Sequence, residues 1–148
     1  MPTEVERKFR VLSYDPSRLT GGDYIRQGYL CHDPAVRVRL RGENAWLTIK
    51  GPGLSERAEF EYPIPVADAE QLLALCADVL EKTRYVVGPL EIDVFGGALA
   101  CLVLAEAEGV RLDEPLDPPD WLTWVEVTGR PEYTNSHLVR YGIPKEQA

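Results

Sequence analysis

The chain has 148 residues, enough for one domain with a core of its own. Hydrophobic residues make up 45% and charged residues 27%, a balance that excludes low-complexity disorder, and no run approaches the roughly 20 apolar residues of a membrane span. The formal net charge of −8 argues against a nucleic-acid backbone as partner and confines any anion site to a local cluster of bases. Cys31, Cys76 and Cys101 are odd in number and lack a Cys-x-x-Cys spacing, so reduced thiols in a cytoplasm are expected. Pro2-Thr3-Glu4 after Met1 shows no apolar leader.

Taken in chain order, the dominant pattern has period two, the mark of strands with two unlike faces. It predicts strands near 3–10, 24–31, 35–41, 46–50, 57–64, 82–87, 90–95, 98–108 and 122–129. Gly42-Glu43-Asn44 reads as a hairpin turn, Gly51-Pro52-Gly53 as a strand end, and Gly96-Gly97 as a tight hairpin. Asp68, with Gln71 three residues later, predicts an N-cap for a helix over 68–82 whose Leu72, Leu73, Cys76, Val79 and Leu80 share a face. A short second helix is predicted from Asn135 to the stop at Gly142. Asp113 to Asp120, with three prolines and four acids, reads as a loop. Nothing marks an internal repeat or a linker, so residues 1–148 form one predicted domain. Many short antiparallel strands with few helices suggest a barrel or a sandwich.

The charges on these strands are sorted. Acids come as Glu4/Glu6, Glu59/Glu61, Glu91/Asp93 and Glu106/Glu108; bases come as Arg37/Arg39 and Lys82/Arg84, with Lys8 and Lys50 single. A solvated face mixes signs freely, whereas paired charges of one sign suggest facing walls. A charge-lined interior is costly unless water, metal or ligand fills it. Periodicity alone leaves open whether these faces point inward or to solvent.

Glu4-Val5-Glu6-Arg7-Lys8-Phe9 contains Glu-x-Glu-x-Lys. It is followed by Tyr24-Ile25-Arg26-Gln27-Gly28-Tyr29-Leu30, Arg37-Val38-Arg39, Leu47-Thr48-Ile49-Lys50-Gly51 and Arg57-x-Glu59-Phe60-Glu61. Then come Glu81-Lys82-Thr83-Arg84-Tyr85, Glu91-Ile92-Asp93-Val94-Phe95, Leu104-Ala105-Glu106-Ala107-Glu108, Trp124-Val125-Glu126-Val127-Thr128 and Tyr133-x-Asn135-Ser136. In this order the motifs resemble the CYTH superfamily, the triphosphate tunnel metalloenzymes, from residue 4 to about 140. The chain departs from the family pattern at Cys101, where glycine is usual, and at Gly109, where an apolar residue is usual.

The resemblance implies a mainly β (α+β) fold: an eight-stranded, closed antiparallel β-barrel with charges inward and a few covering helices. It implies metal-dependent hydrolysis of inorganic triphosphate to pyrophosphate and orthophosphate. Lys8, Arg37, Arg39, Lys50, Lys82 and Arg84 are the expected phosphate ligands, with Arg41 and Arg130 weaker candidates. Arginine offers phosphate a planar fork, and lysine a compact charge. Glu4, Glu6, Glu106, Glu108 and Asp93 are the expected metal group, since Mg²⁺ or Mn²⁺ takes carboxylate oxygen. Glu4, Glu6 and Glu108 lead that group; Glu106 and Asp93 also suit outer positions or partners for the bases. Glu59 and Glu61 are expected to orient water, with Tyr29 and Lys8 assisting catalysis.

Six such bases face eight acids, Glu91 among them, so two divalent ions are expected to make the tunnel receptive to a polyanion. By analogy a homodimer is an expected assembly. Type IV adenylate cyclase, nucleoside or thiamine triphosphate hydrolysis, and a non-catalytic polyphosphate-binding module are the competing readings. Few aromatic residues and the small Ala35 ahead of the arginine pair weigh for the inorganic substrate.

Overall fold

The computed structural model describes residues 4–51 and 58–145, excluding the side chains of residues 4 and 5. Nine antiparallel strands form one sheet: β1 (Glu4–Tyr14), β2 (Asp23–His32), β3 (Ala35–Arg41), β4 (Asn44–Lys50), β5 (Glu59–Ile64), β6 (Val79–Val87), β7 (Leu90–Phe95), β8 (Val103–Arg111) and β9 (Leu122–Glu126). Their order across the sheet is β5-β4-β3-β2-β6-β7-β8-β1-β9. Two helices accompany it, α1 (Val66–Leu75) and α2 (Asn135–Tyr141).

Alternation decides which face goes where. Val38 and Leu40 of β3 and Ala45 of β4 are buried under Ala69 and Leu73 of α1. Phe9 and Val11 of β1, Ile92 of β7 and Ala105 of β8 form a second apolar layer on the same face, with Phe9 stacked on Trp124 at 3.9 Å. Leu116 and Trp121, from the segment before β9, pack against this layer. Each fully buried large apolar side chain contributes about 1.5–3 kcal/mol. The charged rows occupy the opposite face. There Leu80, Phe95 and Leu104 continue the rows of Lys82, Asp93 and Glu106 and meet Tyr133 and Leu138, so α2 closes one end with an apolar plug.

Glu6 on β1 and Arg37 on β3 stand five strands apart in sheet order, yet both line one cavity. A flat sheet would hold them about 24 Å apart at the usual strand spacing. The sheet therefore curls with its charged face inward, as a trough. Among the described residues the expected closed eight-stranded barrel is not formed: there β5 pairs only with β4, and β9 only with β1. β9 takes the edge of β1 that closure would need. The β5 edge is blunted by Glu59, Glu61 and Pro63, residue types that discourage further pairing.

Other departures have local causes. The first helix starts two residues before Asp68 and ends at Leu75, with Pro65 at its N-cap and no side-chain cap. Val79 and Leu80 leave the predicted helix because they pair with Gly28 and Gln27 of β2, and ladder bonds outweigh helical spacing there. The apolar run 98–105 is not one strand. Gly97–Leu99 form a 3₁₀ turn, Leu99 and Leu102 are buried, and the ladder to β7 resumes at Val103. A buried turn and a buried strand look alike by hydropathy. The second helix runs as predicted and stops at Gly142. Pro52, Gly53 and Arg57 lie outside the described residues.

Candidate active site

The trough encloses a cavity of about 540 Å³. β1 contributes Glu6 and Lys8, β3 Arg37 and Arg39, β4 Thr48 and Lys50, β6 Arg84, β7 Glu91, and β8 Glu106 and Glu108. Tyr29 and His32 of β2, Ala35 of β3, and Thr134, Asn135 and Ser136 at the N-cap and start of α2 complete the wall. A larger cleft of about 700 Å³ lies between α1, β6 and α2. Its lining is mostly apolar and small, and its Arg26 is already paired with Glu70, so the convergent chemistry is in the trough.

The strand register pairs most of these charges. Lys8 lies across from Glu106, with Nζ 3.7 Å from its Oε1, and also donates to the Tyr133 carbonyl at 3.1 Å. Lys50 lies across from Glu59 at 3.8 Å. Arg37 reaches Glu61 at 3.9 Å, and the Thr48 hydroxyl donates to the same carboxylate at 3.0 Å. Arg84 is 3.6 Å from Glu91. Arg39 Nε donates to Gln27 Oε1 at 2.9 Å. Burial, with Arg37 and Arg84 nearby, pushes the Arg39 guanidinium down to about 10.

Three carboxylates crowd the opposite wall. Burial, the charges of Glu106 and Glu108, and a hydrogen bond with Glu106 raise the Glu6 carboxyl above its ordinary value, against the pull of Lys8. The crowding has a backbone cause. Val5 pairs with Val110 and Arg7 with Ala107, so β8 carries one extra residue opposite Glu6. The bulge is completed by Gly109 at φ +71°, a left-handed conformation that a side chain resists. The glycine that departs from the family pattern therefore shapes the acidic wall.

Several expected site residues sit elsewhere. Lys82 and Asp93 lie beneath the cavity rather than in its wall. The Asp93 carboxylate accepts from Lys82 Nζ at 2.8 Å and from Arg84 Nε and Nη2 at 2.8 and 3.0 Å. Burial alone would raise its pKa; the Arg84 hydrogen bonds and the Lys82 charge outweigh burial and hold it below the usual range. In this state Asp93 is the counter-ion that braces Arg84, and Lys82 is its buried partner. Glu59 and Glu61 are about half exposed on the edge strand and reach the site through Lys50 and Arg37. Arg41 pairs with Asp23 and Arg130 with Glu132, both away from the cavity wall. The Glu4 side chain lies outside the described residues.

The described wall thus holds five cations against four carboxylates. That is nearer balance than six against eight, and the case for a metal shifts from net charge to the crowding around Glu6. Hard carboxylate oxygens held close together fit a divalent cation. Among the described residues, no three acidic, imidazole or thiol groups already converge closely enough to hold one unaided.

Sequence reasoning missed Gln27, Thr48, His32 and Ser136. His32 stacks on Tyr29, ring centroids 5.1 Å apart, and its Nδ1 is 2.9 Å from the Ser136 hydroxyl. Gln27 and Thr48 occupy inward positions of strands already recognised, so the parity of Tyr29 on β2 and of Lys50 on β4 was the signal that could have found them. His32 and Ser136 are joined by the tertiary fold alone.

Known proteins resemble this chain in sequence and in fold. The CYTH domain family matches residues 2–94. An inorganic triphosphatase of Acetivibrio thermocellus is 41% identical, over 95% of this chain and 95% of its own length. One of Nitrosomonas europaea is 36% identical over 92% of this chain and 96% of its own length. The crystal structure of an inorganic triphosphatase superimposes with a TM-score of 0.73 at 34% identity, covering 94% of this chain and 95% of that one. The chain belongs to the CYTH domain family.

Proposed function

We propose that this protein hydrolyses inorganic triphosphate to pyrophosphate and orthophosphate in the trough, with Mg²⁺ or Mn²⁺ held by Glu6, Glu106 and Glu108. The observation that carries the reading is the opposition, within one cavity, of the Arg37, Arg39, Lys50 and Arg84 wall to the Glu6, Glu106 and Glu108 wall. The names of the relatives support the substrate.

Arg37, Arg39 and Arg84 offer forks to phosphate oxygens, and Lys50 a point charge. A divalent cation at the carboxylates would neutralise phosphate oxygens that those carboxylates alone repel. Lys8, between the two walls, faces the charge that builds as the terminal phosphorus is attacked. Water adds to that phosphorus in line, the bond to the bridging oxygen breaks, and the proton of the water passes to a wall carboxylate. Glu91, in the cavity wall beside Arg84, is the proposed acceptor. The Tyr29 hydroxyl donates to a substrate oxygen, its ring held by His32. Glu59 and Glu61 act on the reaction by holding Lys50 and Arg37. Asp93 and Lys82 act by bracing Arg84.

The test is orthophosphate release from tripolyphosphate, ATP and thiamine triphosphate, each with Mg²⁺ or Mn²⁺. Release from tripolyphosphate above the organic substrates is expected. Tight binding without release would make the cavity a binding module, and cyclic AMP from ATP would make it a cyclase. Glu6→Gln is expected to lose metal-stimulated turnover with its melting temperature kept; unchanged stimulation would remove Glu6 from the metal group.

A further inference from the structure

The five cations of the cavity are paired unequally, and the sheet register explains why. Lys8, Lys50 and Arg84 each face an acid directly across the ladder: Glu106, Glu59 and Asp93. β3 lies between β2 and β4, and the residues across from Arg37 and Arg39 are Tyr29, Thr48, Gln27 and Trp46, all uncharged. Arg37 still reaches Glu61. Among the described residues, Arg39 is the one cavity cation within ion-pair distance of no carboxylate.

What holds Arg39 is Gln27, which is 0% exposed. Arg39 Nε can only donate, so the amide atom facing it is the oxygen. The other amide atom, Nε2, is buried without a hydrogen-bond partner. An apolar residue here would orphan the Arg39 Nε–H, whereas a glutamate would accept from it, supply a counter-ion and carry no N–H to orphan. Glutamine keeps the acceptor without the charge, at the cost of one buried N–H, so among residues of this shape it is not the one that stabilises the pairing most.

We propose that Gln27 is a positioning residue that sets substrate affinity: it grips Arg39 through Nε with a neutral acceptor, leaving the terminal guanidinium nitrogens and the whole positive charge for a phosphate group. The anion itself becomes the missing counter-ion. Burial first, and then the charges of Arg37 and Arg84, lower the basicity of Arg39, and the more distant Asp93 offsets them only in part. The inference rests on the triphosphate reading of the cavity and names the position within it where the substrate charge counts most.

The test is steady-state kinetics on tripolyphosphate with Gln27→Glu and Gln27→Met, alongside thermal melting. Gln27→Glu keeps the shape and the acceptor but fills the seat with a built-in charge. Its melting temperature is expected to equal or exceed that of the unaltered protein while KM rises roughly tenfold or more and kcat changes less. Gln27→Met leaves the charge unpaired but frees Nε, so kcat is expected to fall while KM stays within about threefold. A purely structural role predicts the reverse order, with glutamate benign and methionine harmful through stability. An unchanged KM in Gln27→Glu overturns the proposal. Should that variant not fold, an increase in KM in Gln27→Met as large as its loss of kcat, or no change in either, overturns it instead. Failure of the unaltered protein to turn over tripolyphosphate is a separate outcome, which overturns the reading of the site and this inference with it.

Discussion

Replacing Asp93 by asparagine tests the frame under the cavity. The Asp93 side chain is 5% exposed, Lys82 beside it 1%, and Arg84 12%. Three hydrogen bonds from two cations converge on the carboxylate. Asparagine keeps the shape, removes the charge, and turns an N–H toward groups that can only donate. Leaving buried cations without their counter-ion costs about 3–5 kcal/mol. That is a large part of the roughly 5–15 kcal/mol that holds a domain folded. At about 2–4 °C per kcal/mol for a chain of this size, the melting temperature should fall by about 10 °C.

The same substitution has a pH signature. The native pKa of Asp93 is depressed, so its contribution is complete above the unfolded value of about 3.9 and is lost as pH falls through the native value. The stability gap between the two proteins should be constant from neutrality down to about pH 5 and close in stronger acid. Urea melts across that range, with a parallel Mn²⁺ titration at neutral pH, make the measurement. A loss under about 1 kcal/mol, or a gap unchanged at pH 2, refutes the counter-ion reasoning. A selective loss of metal affinity with stability intact would return Asp93 to the metal group.

Three further outcomes are expected. Arg39→Ala should lower kcat/KM for tripolyphosphate by about 10²–10³-fold, because a forked, partly buried cation is removed from the charge that develops there; a loss below threefold would take Arg39 out of the site. Gly109→Ala should cost about 1–2 kcal/mol at φ +71° and weaken metal binding by disturbing the bulge opposite Glu6, seen as a lower urea midpoint and a weaker Mn²⁺ isotherm. Cys101→Gly should stabilise the protein by about 1 kcal/mol, since Cys101 is exposed at φ +83° and gains nothing from its side chain there; an unchanged urea midpoint would show that the position carries no strain.

How much was legible before the fold depended on whether a feature is local. The β3 pattern Val36-Arg37-Val38-Arg39-Leu40-Arg41 declares a two-faced strand by itself, and the structure keeps its bounds. α2, with Asn135 at its start and Gly142 at its end, was legible for the same reason. Val79 and Leu80 were not, because helical spacing lost to a partner strand more than fifty residues earlier in the chain. The Leu99–Leu102 turn was not, because burial gives a turn the same apolar composition as a strand.

In the site, the sequence by itself determined the alternation, the sorted signs and the strands that carry them, since a two-residue period needs nothing beyond neighbouring residues. Only the tertiary structure decided that Asp93 is shared by Lys82 and Arg84, that Glu59 and Glu61 stand at an edge, and that Arg39 faces glutamine instead of an acid. The physical reason is that a charge is neutralised by whatever lies across the ladder, and strand register and sheet curvature are properties of the assembled sheet.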